Sequence, residues 1–307
     1  MKITVGITSY NQSALLQEAI ESVLAQTLLP SEIIITDDAS TDDSVALIES
    51  FASRYPNLIH PILLNRNGGP NHARNQIIDA AQGEYLSFLD GDDRWLPAKL
   101  ERETNRLAMN DRPEGVFSNF YFTDGSGQRL FLWSDATTRR PPEGHILQQV
   151  LTLDLPRNTL FRSEIAFTRL WREAGYFDTT YVIYGDWDMR VRLAAAVPRF
   201  AYLDESLCEY NRHGRGLSSK PVELHLDAVD HIEHKYASLI ANLSQLSGDS
   251  PRKKLDQFRA KLLRRAAADT LMYAPSPSRK KALAYYRQSL SYHRVLDLRL
   301  FWYLLKA

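Results

Sequence analysis

Residues 1–93 alternate short runs rich in Ile, Leu and Val with amphipathic stretches, and this alternation most narrows what the chain can fold into. The apolar runs are 2–7, 32–36, 58–64 and 84–89. Between them, 13–26 sets Leu15, Leu16, Ala19, Ile20, Val23 and Leu24 on one helical stripe, with Asn11 or Ser13 as the N-cap. The segment 44–55 reads as a second helix. A third, 70–83, has Pro70 at its first position and Gly83 past its end. Pro61 cannot donate to a ladder, so the run that contains it belongs near a sheet edge. Strands alternating with helices predict an α/β fold, a mostly parallel sheet flanked by helices on both faces.

Ligands of such sheets bind beyond the carboxyl ends of the strands. That rule selects three polar loops: 8–11, 37–40 and 90–93. The last of these holds Asp90, Asp92 and Asp93. Three carboxylates within four positions repel one another, and a turn alone would need fewer. The Asp-x-Asp pair of Asp90 and Asp92 suits Mg²⁺ or Mn²⁺, hard cations that keep waters and bridge to phosphates. On its own it equally suits an acidic loop ahead of a helix over 97–109.

The pattern changes after residue 93. Segments 115–123 and 129–133, joined at Asp124-Gly125, predict an antiparallel hairpin. Helices are expected near 144–153 and 163–174, the latter capped by Ser163 and stopped at Gly175. Another starts near Asp186, and short strands follow at 199–203 and 206–211. From Val222 onward the reading is helical, with breaks at 247–251 and 274–277. This organisation gives a domain over 1–221, with halves 1–93 and 94–221, and a helical C-terminal extension over 222–307.

Charge is unevenly spread. The chain is neutral overall, and no global basic excess points to nucleic acid. From Pro251 to the end there are 14 Lys+Arg against 3 Asp+Glu, which leaves residues 1–250 at −11. Cys208 is the sole cysteine, so an intramolecular disulfide and Cys-rich metal sites are excluded. The first residues read straight into a strand, without a signal-peptide pattern, and no run approaches the roughly 20 apolar residues of a membrane span. A cytoplasmic protein is the expectation. Residues 278–307 carry 7 Lys+Arg and 1 Asp+Glu together with Phe301, Trp302 and Tyr303. Such a segment can lie at the inner face of a membrane or form a dimer seam.

Four motifs in order, "VGITSYNQ", "IIITDDASTDDS", "GGPNHARNQ" and "GEYLSFLDGDD", resemble family 2 glycosyltransferases. The resemblance covers about 2–220. It implies the GT-A fold and transfer of a sugar from a nucleotide-diphosphate sugar donor to a glycan or lipid-linked acceptor hydroxyl. It further implies inversion at the anomeric centre and a Mn²⁺ or Mg²⁺ cofactor, typically in polysaccharide biosynthesis. By position, Tyr10 would lie against the nucleotide base and Asp38 would bond the base edge, with Asp37 supporting the loop. Arg74 would face the phosphates or ribose, Asp90 the ribose and metal, and Asp92 would be the main metal ligand.

"GYFDTTYVIYGDWD" resembles the family's second signature, in which a Glu-Asp pair opens a helix. Here the pair is Gly185-Asp186. Asp186 matches the catalytic base that takes the acceptor proton; Asp188 lies close by. "YNRHGRGLSS" resembles a late loop in which His213 would ligate the metal or touch the diphosphate, and Arg212 and Arg215 would neutralise the leaving group. Trp95, Tyr184 and Trp187 offer sugar-stacking faces or core packing. Two other readings are a nucleotidyltransferase, which would need a Gly/Arg/Lys-rich loop after the first strand, and a degenerate, non-catalytic nucleotide-sugar-binding subunit.

Overall fold

The computed structural model describes residues 1–197, 199–213, 216–247, 250–272, 278–297 and 300. The chain divides into two compact units, one of residues 1–150 with 155–216, the other of 151–154 with 217–307.

In the first unit the elements run β1 (Ile3–Ser9), α1 (Ser13–Leu24), β2 (Glu32–Asp37), α2 (Ser44–Arg54), β3 (Ile59–Leu63), α3 (Pro70–Ala80), β4 (Tyr85–Asp90), β5 (Arg94–Trp95) and α4 (Lys99–Leu107). Then come β6 (Gly115–Asp124), β7 (Arg129–Leu132), α5 (Leu147–Thr152), β8 (Ile165–Phe167), α6 (Thr168–Glu173), α7 (Gly185–Ala196) and β9 (Phe200–Arg212). β1 to β4 are parallel in the order β3-β2-β1-β4. β1 and β2 are buried along their whole length, which is why their sequences are apolar on both faces. This is the mixed α/β sheet flanked by helices that the GT-A expectation called for.

Topology gathers the site. β8 runs antiparallel to β4, β6 antiparallel to β8, and β9 parallel to β6. β9 therefore points the same way as β4, and its carboxyl end emerges beside Asp90–Asp93. β8 points the other way, so the residues that enter it, Arg162 to Glu164, arrive at that same edge.

Several sequence expectations need correction. The helix expected over 163–174 is strand in its first part: Ile165 pairs with Ser87 and Val116, and Ala166 with Leu86 and Gly115. Ser163 is not a cap but sits at φ 51°. A local sequence with no strong preference follows the unpaired edges on either side of it. The two short strands expected at 199–211 are one strand, β9, with register shifts opposite Ser118–Phe120. α1 begins at Ser13 without a side-chain cap; the Asn11 side chain is used elsewhere, as described below. Trp95 and Trp187 are core residues rather than stacking faces; the Trp187 indole donates to the Val150 carbonyl at 2.8 Å. Cys208 is buried in β9, and burial pushes its thiol up to about 12, well away from thiolate chemistry.

The second unit holds α8 (Val222–Lys235), α9 (Ala237–Ser247), α10 (Pro251–Met272) and α11 (Arg279–Tyr292). Ala267, Ala282 and Tyr286 form a shared core between α10 and α11. Arg259 is buried among Asp230, Glu233 and Asp256 at 2.6, 2.5 and 3.2 Å. Among the described residues no helix is long and apolar enough to cross a membrane. Phe301, Trp302, Tyr303, Arg215 and the break at 274–277 lie outside the described residues.

One buried ion pair anchors the edge that carries the site. Lys99 and Glu103 are both fully buried, 2.5 Å apart, one turn apart on α4. The Lys99 ammonium also donates to the Ser163 carbonyl at 2.7 Å, which in turn accepts from Ser87 of β4 at 3.0 Å. Removing one member of a buried pair strands the other charge. Lys99→Met is expected to cost about 3–5 kcal/mol in chemical denaturation, and Lys99→Met with Glu103→Leu to recover most of that loss.

Candidate active site

The carboxyl ends of β1 and β2 are stitched into one platform. Asn11, at φ 50°, accepts from the Thr41 amide at 2.7 Å, while its own amide donates to Ser40 Oγ at 2.9 Å. Asp37 makes the turn, accepting from the Ser40 amide at 2.7 Å and its hydroxyl at 2.6 Å. Asp38 is only 2% exposed and does something different: its two oxygens accept the amides of Gly68 and Gly69 at 2.8 Å each. Gly69 sits at φ 86°, ψ 166°, a conformation open essentially to glycine alone, and Pro70 follows as the first residue of α3. Asp38 thus sets where α3, and hence Arg74, begins. Tyr10 stands 49% exposed at the lip of this platform and takes no part in the core.

Arg74 reaches from α3 to Asp90 Oδ1 at 2.6 Å. Arg162, from the turn before β8, places its guanidinium 3.7 Å from Asp90 Oδ2 and 4.0 Å from the Tyr210 ring centroid. Burial opposes the Asp90 charge, but Arg74 and then Arg162 outweigh it and hold the carboxyl below its usual range. Asp92 turns the other way, 2.9 Å from His213 Nε2 at the end of β9. Burial and then the Asp90 charge push Asp92 up, with His213 opposing. Asp93 accepts the Asn211 amide at 2.9 Å; burial first, then Asp92, raise it well above the usual carboxylate range. The three acids at the end of β4 thus have three different partners.

From the first turn of α7, Asp186 lines the same pocket as Arg74, Asp90 and Arg162. Tyr184, at φ 62°, is the cap residue, so Asp186 is not spent on capping. Its Oδ2 accepts from Arg190 at 3.2 Å, and Arg190 also binds Glu164 at 2.7 Å. Asp188 is fully buried against Arg192 at 2.7 Å and does not line the pocket. Arg74, Asp90, Asp93, Arg162, Glu164, Asp186 and Arg190 line one pocket, together with the aromatic rings of Phe88, Trp171 and Phe177.

The structure therefore brings Arg74, Asp90 and Asp186 to one pocket, and Asp92 to His213 beside it. Tyr10 and Asp38 belong to the neighbouring platform. Arg162, Glu164 and Arg190 were not singled out from sequence. The i, i+4 spacing of Asp186 and Arg190 was readable; the other two were hidden by the helix expectation over 163–174.

Residues 4–167 match the model of glycosyl transferase family 2, and the chain belongs to that family. Among relatives, succinoglycan biosynthesis protein ExoO of Rhizobium meliloti is 34% identical over 165 residues, 54% of this chain and 45% of ExoO. The chain spans about half the length of the curated relatives it matches, 58% for three mycobacterial proteins. Among solved structures, S. aureus TarS residues 1–349 in complex with UDP-GlcNAc has TM-score 0.63 at 19% identity, covering 98% of this chain and 83% of that one. The mannosyltransferase PcManGT of Pyrobaculum calidifontis, in complex with GDP-Man and Mn²⁺, has TM-score 0.56 at 19% identity, covering 99% and 85%. These two likenesses establish the fold.

The raised Asp93 has a consequence for stability. Its folded form keeps a proton that the unfolded chain has already lost, so its contribution favours folding at low pH. That contribution falls away as pH climbs from about 3.9, the ordinary Asp value, through the raised folded value. In chelator-treated protein, Asp93→Asn is expected to melt higher than the parent at neutral pH. The gap should close as pH drops below about 4, which thermal melts across pH 4–8 would show.

Proposed function

We propose that the chain is an inverting glycosyltransferase that moves a sugar from a nucleoside-diphosphate sugar to a hydroxyl of a glycan or lipid-linked acceptor. The observation that carries this reading is one pocket lined by Asp186 together with Arg74, Arg162 and Asp90. That lining sets a carboxylate able to take a proton near cations able to meet a departing diphosphate. Family membership and the nucleotide-sugar complexes of the two structural neighbours support it, and ExoO supports a role in polysaccharide synthesis.

Asp186 would take the proton of the acceptor hydroxyl as that oxygen attacks the anomeric carbon. Its Oδ1 accepts no hydrogen bond from any described residue, so one oxygen is open to the incoming hydroxyl. Arg162 carries the hydrogen-bonding capacity toward the leaving group: it makes no hydrogen bond among the described residues, and its Nε is buried without a partner. The Asp38 platform and exposed Tyr10 suit a nucleoside, with Tyr10 as the stacking face. Phe88, Trp171 and Phe177 add apolar surface to the lining.

Asp92 and His213 fit a divalent cation. They offer one carboxylate and one imidazole side by side. Among the described residues no three His, Cys, Asp or Glu side chains are placed to hold one metal ion together, and Asp90 is engaged by Arg74. Two protein donors, with waters and phosphate oxygens for the rest, suit Mg²⁺ or Mn²⁺. When bound, such an ion supplies charge stabilisation to the diphosphate.

Two measurements test this. Asp186→Asn should lower nucleoside diphosphate release from UDP-GlcNAc or GDP-mannose by about 10²–10⁴ while leaving donor affinity near normal. Wild-type turnover in that variant would favour the non-catalytic, nucleotide-sugar-binding alternative. Asp92→Ala should abolish the Mn²⁺ binding seen by calorimetry; unchanged affinity would remove Asp92 from the metal site.

A further inference from the structure

Asp186 opens α7 next to Gly185, at a position where the resemblance called for glutamate. The reason lies in Asn71. A Cβ built on Gly185 would fall 2.6 Å from both Cγ and Oδ1 of the Asn71 carboxamide, and closer still to its nitrogen. That carboxamide is not free to swing aside. It is buried, and its nitrogen donates to the carbonyls of Asp178 and Tyr181 at 3.0 and 3.1 Å, closing the loop that leads into α7. The space for a side chain at 185 is taken.

A carboxylate reaches the same neighbourhood from another strand. Glu164, 2% exposed at the entry to β8, accepts from Arg190 Nη2 at 2.7 Å. Arg190 Nη1 in turn donates to Asp186 Oδ2 at 3.2 Å. We infer that Glu164 and Arg190 are the positioning residues of Asp186, doing through a guanidinium bridge what residue 185 cannot do while Asn71 fills its space. The inference rests on the reading of Asp186 as the base.

Arg190 makes its shorter contact, 2.7 Å, to Glu164 and a longer one, 3.2 Å, to Asp186 Oδ2, so Asp186 is oriented through one oxygen. Both residues line the pocket, and Arg190 Nε and Glu164 Oε1 are buried without a hydrogen-bond partner among the described residues.

The test reads Asp186 directly, without any substrate. The full chain is labelled with [¹³Cγ]aspartate, and the Asp186 carboxyl resonance is assigned by its loss in Asp186→Asn. The other charges facing Asp186 are Arg74 from α3, Arg162 from the turn before β8, and Asp90 and Asp93 at the end of β4, and all stay in place. Glu164→Gln leaves the whole Arg190 charge on Asp186 and should move its titration midpoint down by about one unit. Arg190→Met removes that charge, leaves Glu164 nearby, and should move the midpoint up by a similar amount. Should either single variant fold poorly, Glu164→Gln with Arg190→Met removes both buried charges together and should fold, with a midpoint back near the parent's. Midpoints that stay put, or that move the same way in both single variants, would overturn the inference.

Activity separates this from the parent reading. Release of nucleoside diphosphate from UDP-GlcNAc and GDP-mannose should fall in kcat with KM for the nucleotide sugar little changed, and Arg190→Lys should recover part of it. If the midpoints move as stated but Asp186→Asn keeps full turnover, the base assignment fails and the positioning pair stands. For the steric half, Gly185→Glu should lower Tm alone and be tolerated together with Asn71→Ala. A wild-type Tm for Gly185→Glu alone would show that Asn71 is not the constraint.

Discussion

Negative charge crowded at the ends of buried strands is the constraint around which the first unit is arranged. Asp90, Asp93, Glu164 and Asp186 share a pocket partly lined by aromatic rings, where unpaired carboxylates are costly. Three guanidiniums meet them, and each comes from a different part of the chain: Arg74 from α3, Arg162 from the turn into β8, Arg190 from α7. Burial, and then the Asp92 charge, push Asp93 well above the usual carboxylate range, so of the carboxyl groups at the end of β4 it is the one that most favours the neutral form.

This gathering of charges depends on the sheet. The parallel strands β1, β2 and β4 deliver Asn11, Asp38 and Asp90 at one edge because side chains past a strand's carboxyl end share its exit side. Reversal at β8 brings Arg162 and Glu164 to that edge from the opposite direction, and a second reversal at β6 lets β9 deliver His213 to Asp92, 121 residues away in sequence. The turn at Ser163, flanked by Arg162 and Glu164, is held by the buried Lys99 ammonium and by Ser87. An apparently structural ion pair in α4 is therefore part of how the site is aimed.

The first half of the chain was readable because its signals are local. Apolar runs of strand length, helical stripes, Pro70 at a helix start and acids at strand ends each stand in a short window. The family motifs then assigned roles to Tyr10, Asp38, Arg74, Asp90, Asp92 and Asp186. What escaped was set by pairing over long range. "EIAFTRLWREAG" has no strong local preference, and the open edges of β4 and β6 turn its first residues into strand. Read as a helix, the segment gives no sign that Arg162 and Glu164 face the site. Trp95 and Trp187 were ambiguous for a related reason, since an aromatic residue near a site motif has the same letter whether it faces a ligand or lies beneath the site. Asp188 could not be separated from Asp186 by spacing alone; Arg192, one turn on, claims it.

Gly185 shows why a departure from a family signature has to be weighed in three dimensions. Taken as one letter, a missing glutamate beside the base suggests decay. In the fold, the loss is matched by a gain on each side. Asn71 occupies the vacated volume and ties down the loop ahead of α7, and the pair of Glu164 and Arg190 supplies a carboxylate held through a guanidinium. Two buried charges cost desolvation and stabilise little unless paired well. Here Glu164 and Arg190 are paired with each other, and Arg190 with Asp186. The departure at 185, the bulk at 71 and the pair at 164 and 190 form a single local solution to holding Asp186.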